Sequence, residues 1–215
     1  GYMMRKDHSI NQIRSINVWP DNPAGSGAEV MKYRFNWNFP VMFSPNNPKK
    51  LYAGSNYLHV TTNEGQTWNT ISGDLTRNLP ETIESSGGLI TQDNTGAEFY
   101  ANIFAIAESE IEDGVIWVGS DDGLIHITKD GGKTWENITP KNLPEGIINS
   151  IELSSHEPGK AYIVMMRYKF MDLESYIYKT SNYGNSWQKI TDGISSDPNF
   201  TRVVRSDKKI RDLLE

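Results

Sequence analysis

The sequence predicts an all-β fold built from repeated four-stranded antiparallel sheets, and three observations lead to this prediction. The motif Thr-x-(Asp/Asn)-x-Gly-x-(Thr/Ser)-Trp occurs three times along the 215 residues. The residues on either side of each copy alternate between polar and apolar, as half-buried strands do. Two further strand-like runs precede every copy, for example "NIFAIAES" and "VIWVGS" before the second. Each unit is therefore expected to contain four short strands.

The repeated motif predicts a compact turn between the third and fourth strand of each unit. Asn or Asp accepts backbone hydrogen bonds, Gly supplies a positive φ, the hydroxyl residue ties the returning chain, and Trp closes the tip. The tryptophans recur with a basic period of about 50 residues and one insertion of about 15, which is the signature of a repeat architecture. Four short strands per repeat are typical of a β-propeller blade. The motif residues are Thr61, Asn63, Gly65, Thr67, Trp68, Thr128, Asp130, Gly132, Thr134, Trp135, Thr180, Asn182, Gly184, Ser186 and Trp187.

Taken in order, the units predict a propeller segment of about three full blades with partial blades at both ends. Residues 1–36 are expected to form the outer half of a preceding blade and a long connecting loop. Blade one follows at 37–75, an inserted loop at 76–98, blade two at 99–141, blade three at 142–194, and the start of a following blade at 195–215. The two incomplete ends could pair within one chain, be exchanged between two copies in a dimer, or join the remainder of a larger propeller.

The three turns resemble Asp-boxes, also called BNR repeats, which occur in sialidases, xyloglucanase-like glycoside hydrolases, photosystem assembly factors and sortilin-type receptors. Two of the three turns have Asn where the family usually has Asp. The unit "FSPNNPKKLYAGSNYLHVTTNEGQTW", followed by "ISGDLT", is most similar to bacterial sortilin-like BNR proteins often labelled glycosyl hydrolases. The resemblance covers about Phe35 to Ile194, and it implies an extracytoplasmic location, periplasmic or secreted.

Composition excludes several classes of function. The formal net charge of −6 at pH 7 argues against nucleic acid binding, which needs clustered Lys and Arg. The chain has no cysteine, so it has neither disulfides nor thiolate ligands. The histidines show no ligand spacing, and we expect no metal and no cofactor. No apolar run approaches the roughly 20 residues needed to span a bilayer.

The long connections are predicted to emerge together on the face opposite the three turns. Long loops on one rim of a rigid scaffold concentrate binding residues, and aromatic side chains beside carboxylates suit the stacking of sugar rings and the recognition of their hydroxyl groups. The alternative is that Trp37 and Tyr100 only pack between blades. The candidate ligand-binding residues are Trp19, Trp37, Tyr100, Arg167, Tyr168 and Phe170.

A glycosidase needs two carboxylates at a set separation, one of them with a raised pKa. The catalytic candidates are Asp121 and Asp122 in "GSDDGL", together with Glu98. The same acidic turn is also a common hairpin device, in which Gly123 supplies the positive φ. The leading prediction is a noncatalytic scaffold that binds protein or glycan. The alternatives are part of a xyloglucanase-like glycoside hydrolase and a purely structural segment.

Overall fold

The computed structural model describes residues 1–22, 24–88, 90–194 and 201–205. Its regular structure is almost entirely strand, arranged as a two-stranded hairpin and three four-stranded antiparallel sheets. The hairpin consists of β1 (Met4–Asp7) and β2 (Gln12–Ser15). The predicted start of a following blade at 195–215 lies outside the described residues, apart from 201–205.

The three four-stranded sheets follow one another along the chain. Sheet one contains β3 (Val41–Phe43), β4 (Leu51–Gly54), β5 (Leu58–Thr61) and β6 (Asn69–Thr70). Sheet two contains β7 (Ile103–Glu108), β8 (Ile116–Ser120), β9 (Ile125–Thr128) and β10 (Glu136–Asn137). Sheet three contains β11 (Ile147–Leu153), β12 (Ala161–Arg167), β13 (Asp172–Thr180) and β14 (Gln188–Lys189). In each sheet every strand pairs with the next one along the chain, which confirms the predicted all-β chain of four-stranded antiparallel sheets.

Helical structure in the described residues is short. The α-helix α1 spans Pro80–Ile83, and 3₁₀ turns span Ala28–Val30 and Tyr168–Phe170. None of these helices is long or apolar enough to cross a membrane.

A separate apolar core lies between each pair of neighbouring sheets. Met3 and Ile16 of the hairpin pack on Leu51 and Ala53 of sheet one. A second core joins sheets one and two around the fully buried Tyr52, and a third joins sheets two and three. Because each sheet buries apolar side chains on a face turned to its neighbour, the sheets stack in chain order.

Two glycines allow the sheets to approach closely. A Cβ added to Gly54 in β4 would lie 3.0 Å from the Ile103 side chain of β7, and one added to Gly119 in β8 would lie 2.3 Å from Ile148 of β11. The first strand of each later sheet therefore rests against the second strand of the sheet before it. Consecutive four-stranded sheets stacked in this way are propeller-like.

The turns between the first and second strands share a serine that sequence reasoning overlooked. Its hydroxyl oxygen accepts hydrogen bonds from the backbone N–H groups two and three residues later, at 3.1 to 3.3 Å. These local bonds close each turn in the way that serine commonly does. The three serines are Ser44, Ser109 and Ser154.

Candidate functional site

The strand order separates two edges of the stacked sheets. The three Thr-to-Trp turns join the third and fourth strands and lie at one edge, together with the serine turns. The longer connections at 16–40, 71–102, 138–146 and 167–172 leave the strands at the other edge, which we call the loop-rich face.

All three Thr-to-Trp turns have the same hydrogen-bond network. In the second turn the Thr128 hydroxyl donates to Asp130 at 2.8 Å and accepts the Gly132 N–H at 2.9 Å. Asp130 also accepts the Thr134 N–H at 2.9 Å and the Thr134 hydroxyl at 2.6 Å. Asn63 and Asn182 accept the equivalent backbone bonds, and each donates its amide Nδ2 to the hydroxyl of Thr67 or Ser186. The motif residues therefore close the turn on itself.

The tryptophans of these turns fasten neighbouring sheets to each other, whereas the sequence predicted that each would close its own tip. Each indole N–H donates to the carbonyl of an isoleucine that follows the outer strand of the preceding sheet or hairpin. The bonds are Trp68 to Ile16 at 2.9 Å, Trp135 to Ile71 at 2.8 Å and Trp187 to Ile138 at 2.7 Å.

Asp130 makes the second turn sensitive to acid. Hydrogen bonds from the Thr134 hydroxyl, the Thr134 N–H and the Thr128 hydroxyl hold the pKa of its carboxyl well below the usual range. A carboxyl whose folded pKa is lowered contributes stability above its unfolded pKa, and that contribution is lost as the pH falls. We predict that Asp130→Asn changes the free energy of unfolding little at pH 7, because asparagine forms the same turn at Asn63 and Asn182. In acid the variant should lack the loss of stability that protonation of Asp130 causes in the native chain.

Urea unfolding at pH 7 and at pH 3 measures that effect. Asn63→Asp is the matched control, because it introduces the same carboxyl into the first turn and should add acid sensitivity there. Equal acid sensitivity of Asp130→Asn and the native chain would contradict the prediction.

Asp121 and Asp122 lie in the connection between β8 and β9, at the loop-rich face, and both are buried. The Asp121 carboxylate accepts the Asn102 N–H at 2.8 Å through Oδ1, whereas its Oδ2 has no hydrogen-bond partner among the described residues. Burial raises the pKa of Asp121 to about 7, and the nearby charge of Asp122 adds to the shift. A pKa in this range suits a general acid, but a side chain that is 2% exposed cannot reach a polymeric substrate without rearrangement.

Asp122 ties the inserted loop to sheet two. Its carboxylate accepts the Arg77 N–H at 2.7 Å and the Ser120 hydroxyl, and its backbone carbonyl accepts Arg77 Nε at 2.8 Å. Burial raises the pKa of Asp122, and these hydrogen bonds oppose the rise. The third candidate, Glu98, lies exposed on the inserted loop.

The predicted ligand-binding aromatics occupy different environments. Trp37 is 74% exposed and projects from a turn in which Asn36 accepts the Asn38 N–H, so it does not pack between sheets. Trp19 is partly exposed and lies edge-on to Tyr33, with Lys32 Nζ 3.5 Å from its ring centre. Tyr100 is half-buried, and its hydroxyl donates to Glu145. Burial and this bond raise the pKa of Tyr100.

The hairpin tip between β12 and β13 presents apolar side chains to solvent. Tyr168 and Phe170 are about half exposed, and Met171 is 94% exposed with a left-handed φ of 56°. Arg167 braces the tip, because it pairs with Asp172, donates to the Glu145 carbonyl at 2.8 Å and lies 5.2 Å from the Phe170 ring. An L residue in the left-handed region is strained, and such strain commonly marks functional loops.

Arg34 is a residue that the sequence analysis missed. It is buried and donates to the Ala101 carbonyl at 3.1 Å, to Asp74 at 2.9 Å and to Thr76 at 3.2 Å. Asn56 also donates to Asp74, at 2.7 Å. These bonds hold the connection before sheet one against the connection before sheet two, and they therefore fix the base of the loop-rich face. No motif surrounds Arg34 in the sequence, so only its partners reveal this role.

The described residues contain no group of three or more His, Asp or Glu side chains placed to hold a metal ion. His59 is fully buried, with its Nε2 2.8 Å from the Ser55 hydroxyl and its Nδ1 3.1 Å from the Thr70 hydroxyl. Burial lowers the pKa of His59 to about 4. Burial lowers the pKa of His126, at the equivalent position of sheet two, to about 4 as well. Both histidines are therefore neutral packing residues at physiological pH.

No family model matches the chain, and no curated protein matches it either. Among solved structures, it is similar to the GH74 xyloglucanase from Xanthomonas campestris, with a TM-score of 0.45, 13% identity, and coverage of 70% of this chain and 22% of that chain. It is also similar to YCF48 bound to D1 peptide, with a TM-score of 0.40, 18% identity, and coverage of 72% and 43%. YCF48 from Cyanidioschyzon merolae has a TM-score of 0.41, 16% identity, and coverage of 76% and 39%. This chain spans less than half the length of these proteins, and the likeness transfers neither an activity nor a ligand to it.

Proposed function

We propose that this chain is a noncatalytic β-propeller segment whose loop-rich face binds a glycan or a protein. The observation that carries the proposal is a contrast at that face: some aromatic side chains are exposed, whereas the central carboxylates are buried. Trp37 and Phe170 project into solvent, where a sugar ring or an apolar side chain can stack on them. Asp121 is buried and accepts the Asn102 N–H through one oxygen, and the Asp122 carboxylate accepts the Arg77 N–H of the inserted loop.

The framework beneath that face supports binding, because it is rigid. Arg34 and Asp122 anchor the inserted loop, and Arg167 anchors the hairpin tip, each through two or more hydrogen bonds. A preorganised loop loses less conformational entropy when a ligand binds.

We further propose that the three turns are Asp-boxes and that the sheets are blades of a BNR-repeat propeller of the sortilin-like type. The shared hydrogen-bond network and the three indole bonds between sheets support this assignment. With this assignment we also propose an extracytoplasmic location and a propeller that is completed by pairing of the chain's own ends, by end exchange in a dimer or by the remainder of a larger protein.

Trp37→Ala tests the binding face. We predict that it weakens ligand binding by about tenfold or more, because exposed aromatic anchors dominate such surfaces. It should leave the unfolding midpoint unchanged, since the side chain packs little. Screening on a glycan array and on a peptide array identifies the ligand, and titration then compares the native chain with the variant.

Phe43→Ala is the matched control, because Phe43 is an exposed aromatic (64%) at the end of β3 and lies at the opposite edge. Its binding should equal that of the native chain. Retention of full affinity by both Trp37→Ala and Phe170→Ala, or the absence of any ligand from both arrays, would refute the proposed binding face.

The alternative is a part of a glycoside hydrolase. The raised pKa of Asp121 favours it, because one catalytic carboxyl must stay protonated near neutral pH. Digestion of xyloglucan that is lost in Glu98→Gln or Asp122→Asn, with folding retained, would support hydrolysis over binding.

A further inference from the structure

A groove lies between the outer strand of sheet two and the third Thr-to-Trp turn. It has a volume of about 470 Å³ and is lined by residues 136–142, by Tyr178 of β13 and by residues 184–187. Pockets of about 300 to 1,000 Å³ are typical of small-ligand sites. The described residues 201–205 bond to Asn149 and Ser175, neither of which lines the groove. The groove is therefore formed by two sheets that each have all four strands in the described residues.

The equivalent place on sheet one is filled by the chain itself. Tyr178 corresponds to His59 of β5, because each lies two residues before the threonine that opens a Thr-to-Trp turn. Tyr33, from the long connection before sheet one, covers His59 with ring centres 4.6 Å apart. Its hydroxyl lies 3.2 Å from that of Thr70, the residue opposite His59 in β6. The connection before sheet three, 138–146, is shorter, and the groove stays open beside Tyr178.

Two aromatic side chains, Tyr178 and Trp187, form a wall of the groove. Both are partly buried on the core between sheets two and three. The Trp187 ring is fixed in place, because its N–H donates to the Ile138 carbonyl at 2.7 Å. It also meets the buried Trp117 ring edge to face, with ring centres 6.1 Å apart. An aromatic surface that is held before binding loses little conformational entropy when a ligand stacks on it.

Polar groups with unused hydrogen-bonding capacity surround these rings. The Tyr178 hydroxyl and the side-chain amides of Asn142 and Asn185 make no hydrogen bond within the part of the chain that the structure describes. The Ser186 hydroxyl accepts Asn182 Nδ2 at 2.9 Å and can still donate. Amides and hydroxyls both donate and accept hydrogen bonds, so they match the hydroxyl groups of a sugar, which do the same.

The charges of the groove favour a neutral ligand. Glu136 and Lys141 lie exposed at its rim, and their formal charges cancel. Among the described residues that line it there is no arginine, the residue best suited to bind carboxylate or phosphate groups. An aromatic wall with amides, hydroxyls and no net charge matches a neutral pyranose, which has an apolar ring face and hydroxyl groups at its edge.

We propose that this groove binds a neutral oligosaccharide. One pyranose ring stacks on the wall formed by Tyr178 and Trp187, and its hydroxyl groups bond to the amides of Asn142 and Asn185. Neither Trp37 nor Phe170 lines the groove. The site is therefore separate from the aromatic side chains proposed to bind a ligand at the loop-rich face, and it does not depend on that proposal.

The test uses four neutral tetrasaccharides, namely cellotetraose, laminaritetraose, maltotetraose and mannotetraose, with tetragalacturonate as the charged comparison. Calorimetric titration of the full chain should give saturable binding of at least one neutral probe and weaker binding of tetragalacturonate. Asn142→Trp should weaken binding by about tenfold or more, because the added ring fills this groove as Tyr33 fills the equivalent place on sheet one. Tyr178→Phe should weaken it by about threefold to tenfold, the loss expected for a single hydrogen bond.

Lys133→Trp is the matched control, because it adds the same side chain at an exposed position of the second turn that does not line the groove. It should bind the tetrasaccharide as the native chain does, and so should Trp37→Ala, the variant that tests the loop-rich face. Asn142 is exposed, so Asn142→Trp should unfold in urea at the native midpoint. Unchanged folding would assign its loss of binding to the filled groove.

The indole N–H signals in NMR spectra locate the site. Bound tetrasaccharide should shift the signal of Trp187 and leave those of Trp68 and Trp135, which make the same bond in the other two turns. A shift of Trp37 with Trp187 unchanged would assign the sugar to the loop-rich face and overturn the groove site.

Four other results would overturn the proposal. They are no saturable binding of any neutral probe; binding of tetragalacturonate as tight as that of the best neutral probe; affinity unchanged by both Asn142→Trp and Tyr178→Phe; and nuclear Overhauser contacts in the free chain between the Tyr178 ring and residues that follow sheet three, so that the chain itself fills the groove.

Discussion

The free energy of unfolding of the native chain, measured relative to that of Asp121→Asn, should fall by up to about 4 kcal/mol as the pH rises from about 4 to about 7. The lowered pKa values of His59 and His126 act in the opposite direction, but they do so in both chains and cancel in this comparison. Burial raises the pKa of Asp121 from 3.8 to about 7. Each unit of difference between the folded and unfolded pKa corresponds to about 1.4 kcal/mol. Between these two pKa values the Asp121 carboxyl binds its proton more tightly in the folded state than in the unfolded state. Raising the pH through this interval therefore lowers the contribution of Asp121 to stability.

The surroundings of Asp121 explain why its pKa is raised. Its Oδ2 is buried and has no hydrogen-bond partner in the part of the chain that the structure describes, and the neighbouring Asp122 carboxylate repels a second negative charge. The Asn102 N–H and the charge of Lys169 lower the pKa, but the desolvation by burial outweighs them. A protonated Asp121 relieves both costs, whereas an ionised Asp121 leaves a buried, poorly compensated charge.

Urea unfolding from pH 4 to pH 8 measures the effect. Asp121→Asn keeps an oxygen for the Asn102 N–H and is neutral at every pH, so the variant should be more stable than the native chain at pH 8 and similar to it at pH 4. Asp93→Asn is the matched control, because it removes an exposed carboxylate from the inserted loop. An identical pH dependence of stability in the native chain and in Asp121→Asn would show that Asp121 is ionised throughout.

Local sequence patterns predicted the parts of this fold that depend on local chemistry. The Thr-to-Trp turns close through hydrogen bonds within about eight residues, and apolar and polar residues alternate along the strands. The three four-stranded sheets could therefore be foreseen from the printed sequence. The serine turns at Ser44, Ser109 and Ser154 could also have been found, because all three directly follow a first strand at equivalent places.

The contacts that connect sheets could not be foreseen in the same way. Trp135 bonds to Ile71, and Arg34 bonds to Ala101, across 64 and 67 residues. Such pairs depend on how the sheets stack, which no local pattern encodes. Burial of the acidic candidates was equally hidden: "SDDG" reads as an exposed turn, and only the inserted loop folded over it shows that Asp122 is enclosed.

Each Thr-to-Trp turn lies close to the preceding sheet, so we expect Gly132→Ala in the second turn to destabilise the chain strongly. Gly132 has a φ of +97°, and an added Cβ would lie 2.8 Å from the Ile71 carbonyl oxygen and 3.0 Å from its Cβ. The left-handed conformation costs an L residue about 1 to 2 kcal/mol, and forcing a methyl group into a packed contact costs about 1 to 3 kcal/mol more. We expect Gly132→Ala to lower the free energy of unfolding by about 2 to 5 kcal/mol.

Gly131→Ala separates these two costs, because Gly131 also has a positive φ, +72°, but an added Cβ would meet none of the described residues within 4 Å. It should lose only the conformational part, about 1 to 2 kcal/mol. The difference between the two variants in urea unfolding measures the contact with Ile71. Adding Ile71→Ala to Gly132→Ala should restore only part of this stability difference. The atom nearest to the added Cβ is the Ile71 backbone carbonyl oxygen, which also accepts the Trp135 indole N–H and remains in the double variant. Equal losses of stability in Gly131→Ala and Gly132→Ala would mean that the turn does not press against the preceding sheet. The same reasoning would then fail for the other two turns, where a Cβ added to Gly65 or Gly184 would lie 2.6 Å from the Ile16 or Ile138 side chain.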